Sequence, residues 1–153
     1  MTEVRFYHLT NNSIEDVLPL MLERAVSRDK KRVMVLAGSV DRVEYLSNYL
    51  WIYSDKGFLP HGSKEDGRPD MQPIWLTDSA ENINEANILF LVDGGFMDCV
   101  NGFDLVCNIF DSRDSNALSL ARKYWDHYQK DQHELTYWQQ TIDGKWQKES
   151  NFL

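Results

Sequence analysis

Apolar and polar residues follow one another along this chain in segments whose periods separate strands from helices. Val4 to Leu9 (VRFYHL) alternates and is rich in β-favouring side chains, so a first strand is predicted there, broken by Asn11-Asn12. Ser13 with Asp16 three residues on has the form of a capping box. Behind it Ile14, Val17, Leu18, Met21, Leu22, Ala25 and Val26 keep a helical period. Pro19 falls within the first two turns, and a prolyl ring has no N–H for the helix ladder, so a local irregularity is expected. Arg32 to Ala37 (RVMVLA) is a continuous apolar run, the pattern of a parallel strand covered on both faces. Gly38-Ser39 ends it with Ser39 as N-cap, and Val43, Leu46, Tyr49 and Leu50 space a second helix ending near Trp51.

Tyr53 to Pro73 is rich in Gly, Pro and charge and reads as one long loop, a length that in compact domains usually carries function or mobility. Ile74-Trp75-Leu76 and Asn87 to Val92 are two further strands, the second closed by Asp93-Gly94-Gly95. Phe103 to Phe110 is expected to be the last strand of the main sheet, followed by a helix over Ser112 to Lys130 with Ala117, Leu120, Ala121, Tyr124 and Tyr128 on one face. The stretch from Glu134 to Lys148 alternates around Asp143-Gly144, a hairpin signal. Strands alternating with helices predict a single α/β domain over residues 1–153, a sandwich with a mainly parallel sheet.

Composition narrows the function. Apolar residues at 42% and charged residues at 26% are ordinary for a soluble globular protein. Five Trp, seven Tyr and seven Phe are a generous supply for 153 residues, enough to place some rings on partner surfaces. The net charge of −8 opposes a free-standing nucleic-acid binder, which needs a positive field to displace counterions from phosphate. No stretch approaches the roughly 20 apolar residues of a membrane span, and MTEVRFYHL lacks the basic-then-apolar order of a signal peptide. Cys99 and Cys107 have no CxxC spacing and His8, His61, His127 and His133 are scattered, so reduced cysteines, a cytoplasmic location and no metal site are expected.

Nucleotide and nucleophile motifs are missing. After the second strand the chain reads AGSVDR, with one glycine and no lysine where a phosphate loop would need both, and GxGxxG and GxSxG do not occur. Asp93 at a strand end and His61 in the long loop are the remaining candidates for chemistry, and neither has an orienting partner nearby in sequence. No cofactor is expected.

The segments Phe6-Tyr7-His8-Leu9, Lys31-Arg32-Val33, Leu46 to Trp51, Phe58-Leu59-Pro60-His61, Pro73-Ile74-Trp75-Leu76 and Leu120-Ala121-Arg122, in this order, resemble the chi subunit family of bacterial DNA polymerase III. Leu50-Trp51 followed by Phe58-Leu59-Pro60-His61 is the most specific part, and Tyr137-Trp138-Gln139-Gln140 with Gly144-Lys145-Trp146 is similar to alphaproteobacterial members. The resemblance implies a Rossmann-like domain with helices on both faces of the sheet, no P-loop and no catalysis. It implies an accessory subunit that joins the clamp loader, through the subunit psi, to the acidic, Phe-ended tail of single-stranded DNA-binding protein (SSB). In some bacteria an XPD-like helicase takes the place of psi.

Carried across by position, the psi or helicase surface falls on Trp51, Phe58, Leu59, Pro60 and His61. The SSB-tail surface falls on the last helix at Leu118, Arg122, Trp125 and Asp126, with Lys123 and Lys130 beside them. Leu118 and Asp126 stand where the family's better-known members are basic, so a weakened electrostatic grip is expected, with Lys123, Lys130 and Arg113 compensating in part. Two other readings remain at this level: an enzyme built around His61, Asp93 and the long loop, and an interaction protein of the same fold in another complex such as a helicase.

Overall fold

The computed structural model describes residues 2–53 and 59–152. In chain order the elements are β1 (Glu3–Leu9), α1 (Ile14–Glu23), β2 (Val33–Ala37), α2 (Val40–Ile52), β3 (Gly62–Ser63), β4 (Ile74–Thr77), β5 (Ile88–Val92), β6 (Leu105–Asp111), α3 (Ser115–Lys130), β7 (Glu134–Gln140) and β8 (Trp146–Glu149). The eight strands form one sheet in the order β3-β4-β2-β5-β6-β1-β7-β8. Every neighbouring pair is parallel except β7 with β8.

A parallel sheet must be covered on both faces, and the strand side chains divide accordingly with a period of two. Val33, Val35 and Ala37 point with Phe90, Val92 and Ile109 toward Leu18, Leu22, Leu46 and Leu50 of α1 and α2. Met34 and Leu36 point with Phe6, Leu89, Leu91 and Phe110 to the opposite face, under Ala121, Tyr124 and Tyr128 of α3. Met97, Val100 and Phe103, in the connection between β5 and β6, complete that second layer.

Helix ends follow local chemistry. The Asp16 carboxylate accepts from the Ser13 N–H at 3.0 Å, the expected start of α1, and this bond holds the Asp16 carboxyl below its ordinary range. Pro19 is accommodated without a break, and the ladder loosens one turn later in a five-residue π-helical turn, Arg24–Arg28. The last helix starts later than Ser112 because Asp114 is its cap, accepting from the N–H groups of Asn116 (2.9 Å) and Ala117 (3.4 Å).

Two expectations are corrected. β6 is not the last strand of the main sheet: α3 carries the chain over to the open edge of β1, and β7 pairs there in parallel, Phe6 opposite Tyr137. The hairpin around Asp143-Gly144 is present, but its first arm belongs to the main sheet and only β8 is antiparallel. Gln140, buried at the end of β7, fixes this arrangement. Its side-chain oxygen accepts from the N–H groups of Asn11 and Asn12 at 3.0 Å, and its amide donates to Asn12 at 2.7 Å, closing the β1–α1 loop.

The second correction concerns residues 53–73. Among the described residues this stretch is not structureless: Gly62–Ser63 adds an edge strand to β4, and Pro69–Met71 forms a 3-10 turn. Arg32 pins it. Its guanidinium donates to the carbonyls of Asn84 (2.7 Å), Pro69 (3.3 Å), Asp70 (3.1 Å) and Gln72 (3.0 Å), a fork that only arginine presents. Hydrogen bonds from a charged donor typically contribute about 1.5–3 kcal/mol. Arg32→Met is therefore expected to lower unfolding stability in urea by about 2 kcal/mol, and Arg32→Lys to recover less than half of that. An unchanged midpoint in both variants would show that the loop is held by something else.

Candidate functional site

The outer face of α3 carries one row at helical spacing: Leu118, Arg122, Trp125, Asp126 and Lys130. Leu118 and Trp125 are half-buried against the core beneath the helix, while Arg122, Lys123, Asp126 and Lys130 are exposed. Among the described residues Arg122, Lys123 and Lys130 form no ion pair, in contrast to the other basic groups nearby. His127 faces Asp98 at 2.8 Å and Asp131 at 3.4 Å. Arg113 is spent as well, since it grips Asp111 at 2.7 Å and donates to the carbonyl of Asn12 at 2.8 Å. Its expected contribution to the α3 cations is withdrawn, because its charge is neutralised at the head of the β1–α1 loop.

Beside this row lies an aromatic slot. Phe6 of β1 is 0% exposed and meets the Trp125 ring edge-on, centroids 5.1 Å apart. Tyr137 of β7 is the cross-strand partner of Phe6, and Phe110 of β6 lies two residues further along, opposite His8; both are buried. The slot is filled by Phe152, whose ring stacks on Trp125 at 4.5 Å with an interplanar angle of 5°. His8 lies behind, stacked on Phe110, its ring nitrogens held by the hydroxyls of Tyr137 (2.6 Å) and Ser112. Burial lowers the His8 pKa, with Asp111 opposing in part, and burial pushes the Tyr137 phenol up to about 12. The sequence reading missed Phe152, a lone phenylalanine after the polar pair Ser150-Asn151.

The second expected surface is split by the fold. Trp51, at the end of α2, is 47% exposed with its ring 4.1 Å from that of His61. Pro60 is exposed and Phe58 lies outside the described residues. Leu59 and His61 are not surface groups: they are 1% and 3% exposed. The His61 ring nitrogens face the carbonyls of Leu59 (2.6 Å) and Ser47 (2.9 Å), which ties the returning chain to α2. What the reading missed here is Ile52, 77% exposed, in line with Tyr45 and the stacked Tyr49 at i, i+4 and i+7 along α2.

At the carboxyl ends of β5 and β6 lies a crevice of about 360 Å³, lined by Ser13, Glu15, Arg42, Asp93, Asn108 and Asp111 among others. This is where open α/β sheets bind ligands. Its one lining arginine is already engaged, donating to Glu15 and to Asp93 at 2.9 Å each. Against the upward push of burial, the bonds from Arg42 and Ser13 hold the Glu15 carboxyl below its ordinary range. The β2 and β5 ends touch here: a Cβ on Gly95 would lie 2.1 Å from the Leu36 carbonyl oxygen. His61 does not line this crevice, so the structure does not gather His61 and Asp93 into one site. Cys99 is exposed and Cys107 buried, both free, and burial pushes the Cys107 thiol up to about 12. Among the described residues no helix is long and apolar enough to cross a membrane, and no cluster of three metal-ligating side chains occurs.

Comparison with known proteins gives the family of this fold. A family model described as "DNA polymerase III chi subunit, HolC" matches residues 1–136, from β1 into β7. A curated protein from Rickettsia prowazekii (strain Madrid E), "Probable DNA polymerase III subunit chi", is 36% identical over 92 residues, which is 60% of this chain and 55% of that protein. The aligned stretch thus spans about half the length of that relative. With the family match running through all the central strands and all three α-helices described, the chain belongs to the DNA polymerase III chi subunit family.

Proposed function

We propose that this chain is a non-catalytic adaptor in the DNA polymerase III assembly, with one surface for the acidic tail of SSB and another for psi or an equivalent partner, such as a helicase. The observation that carries the first assignment is the pairing of a phenyl-sized aromatic slot at Trp125 with Arg122 and Lys130 on the same helix row, and Lys123 beside them, none of which is paired among the described residues. A tail ending in phenylalanine and preceded by aspartates needs both features together. The chain's overall charge of −8 does not forbid this. Distant repulsion is screened beyond about 8 Å at physiological salt, whereas contact pairs are not. The absence of catalysis is supported by the spent Arg42 and by a His61 whose two ring nitrogens are already engaged.

Isothermal titration with a synthetic SSB tail peptide from the same organism tests the first surface. Binding is expected to weaken as salt rises, and Arg122→Ala to cost about 1 kcal/mol, roughly fivefold in affinity. Asp126→Lys should strengthen binding by a comparable factor, and removing the peptide's terminal phenylalanine should abolish it. Equal binding of a scrambled peptide would remove the assignment.

The psi-type surface is assigned to the exposed end of α2, Trp51 and Ile52 with Tyr45 and Tyr49 along the helix, and to Pro60 and Phe58. Buried Leu59 and His61 act by shaping it. Truncating an interface aromatic typically costs about 2 kcal/mol or more. Trp51→Ala and Ile52→Ala should therefore weaken capture of the partner by tenfold or more while leaving the melting temperature within a degree or two. Normal capture with a large loss of melting temperature would place these side chains in the core.

A further inference from the structure

Phe152 follows β8 in a polar segment, Ser150-Asn151, that lies outside the stretch matched by the family model. Among the described residues no hydrogen bond or ion pair ties residues 150–152 to the rest of the chain. The ring alone anchors them. It lies flat on Trp125 at 4.5 Å and meets Tyr137 at 5.0 Å, Phe6 at 5.5 Å and Phe110 at 6.0 Å, so one phenyl group is enclosed on several sides by aromatic surface.

We propose that Phe152 is a displaceable plug: it occupies, within the same chain, the seat that an incoming phenylalanine takes, and the partner tail binds by evicting it. This rests on the reading of the Trp125 slot as the tail site. The fit of the slot to a phenyl ring is displayed by Phe152 itself. The segment that delivers Phe152 carries no acidic residue between Glu149 and the ring, and among the described residues it makes none of the charge contacts that Arg122, Lys123 and Lys130 offer to an acidic tail. An acidic, Phe-bearing partner therefore matches the ring contacts of the plug and adds ion pairs, which must offset the effective concentration that the tether gives Phe152. A weakly acidic one does not outcompete it. The plug multiplies the affinity for every ligand by the fraction of time the slot stands open, and so raises the threshold of charge a partner must carry. Asp126, exposed on the same helix row, repels an acidic tail and makes that threshold higher.

The test is Phe152→Ala in the full chain, with melting temperature, the Trp125 indole N–H resonance and two titrations as readouts. The probes are the SSB tail peptide and N-acetylphenylalanine. In the wild type, saturating peptide should move the Phe152 ring-proton resonances to free-chain values. The variant should keep its fold, shift the Trp125 indole signal before any ligand is added, and bind both probes about three- to tenfold more tightly than the wild type. Equal or weaker binding of both probes by the folded variant would overturn the proposal. So would Phe152 signals that stay put at saturation, or a variant that unfolds, since each makes Phe152 an ordinary packing residue. Should the variant take up N-acetylphenylalanine while neither protein binds the peptide, the plug stands and the assignment of the slot to the SSB tail falls.

Discussion

Strand β1 is the member on which the arrangement hangs. It is hydrogen-bonded in parallel on both sides, to β6 and to β7, and both its faces are buried, Phe6 on one and Tyr7 on the other. A strand in that position admits no exposed face, so α1 must cover one side and α3 the other. Because α3 is the connection between β6 and β7, crossing over β1 is also what brings its outer row beside Phe6, Phe110 and Tyr137. The slot at Trp125 is thus a consequence of sheet topology. Its rear wall is made by three neighbouring strands in register, and its side wall by the helix that joins two of them.

Several acidic groups are engaged in local contacts and not with the α3 cations. Arg42 is held between Glu15 and Asp93, Arg113 by Asp111, and His127 between Asp98 and Asp131. These contacts tie loops and helix ends together, and the arginine pairs neutralise one another locally. Among the described residues Arg122, Lys123 and Lys130 form no ion pair, on a helix whose buried side is apolar. Pairs as exposed as these contribute little to stability, so their consequence is the local field and not the strength of the fold.

Much of this was legible in the sequence because the signals are local. Period-two and apolar runs marked β1, β2, β5 and β6, the Ser13–Asp16 pair marked the start of α1, and Asp143-Gly144 marked the hairpin. The long-range features were not legible. The pairing of β7 with β1 joins residues about 130 positions apart, and the hairpin pattern describes β7 equally well with or without it. Leu59 sits in a polar loop yet is buried, because Arg32 and His61 fold that loop back by bonds to backbone carbonyls that leave no mark in residue type. On α3 the positions Leu118, Arg122, Trp125 and Asp126, with Lys123 and Lys130 beside them, were legible only through the resemblance to the chi family. Phe152 as the occupant of the slot was not, since a single aromatic beyond a hairpin gives no hint of which of several apolar surfaces it will find.

The central claim, that the α3 face at Trp125 receives the SSB tail while the α2 end serves a different partner, is tested most directly by an NMR titration. The chain, ¹⁵N-labelled, would be titrated with the tail peptide and the five tryptophan indole N–H signals followed separately. The account predicts that the Trp125 signal and the amides of Arg122 and Lys123 move together to saturation while the Trp51 indole stays in place. Shifts centred on Trp51 and His61, or a Trp125 signal that does not respond to a peptide that binds, would contradict it.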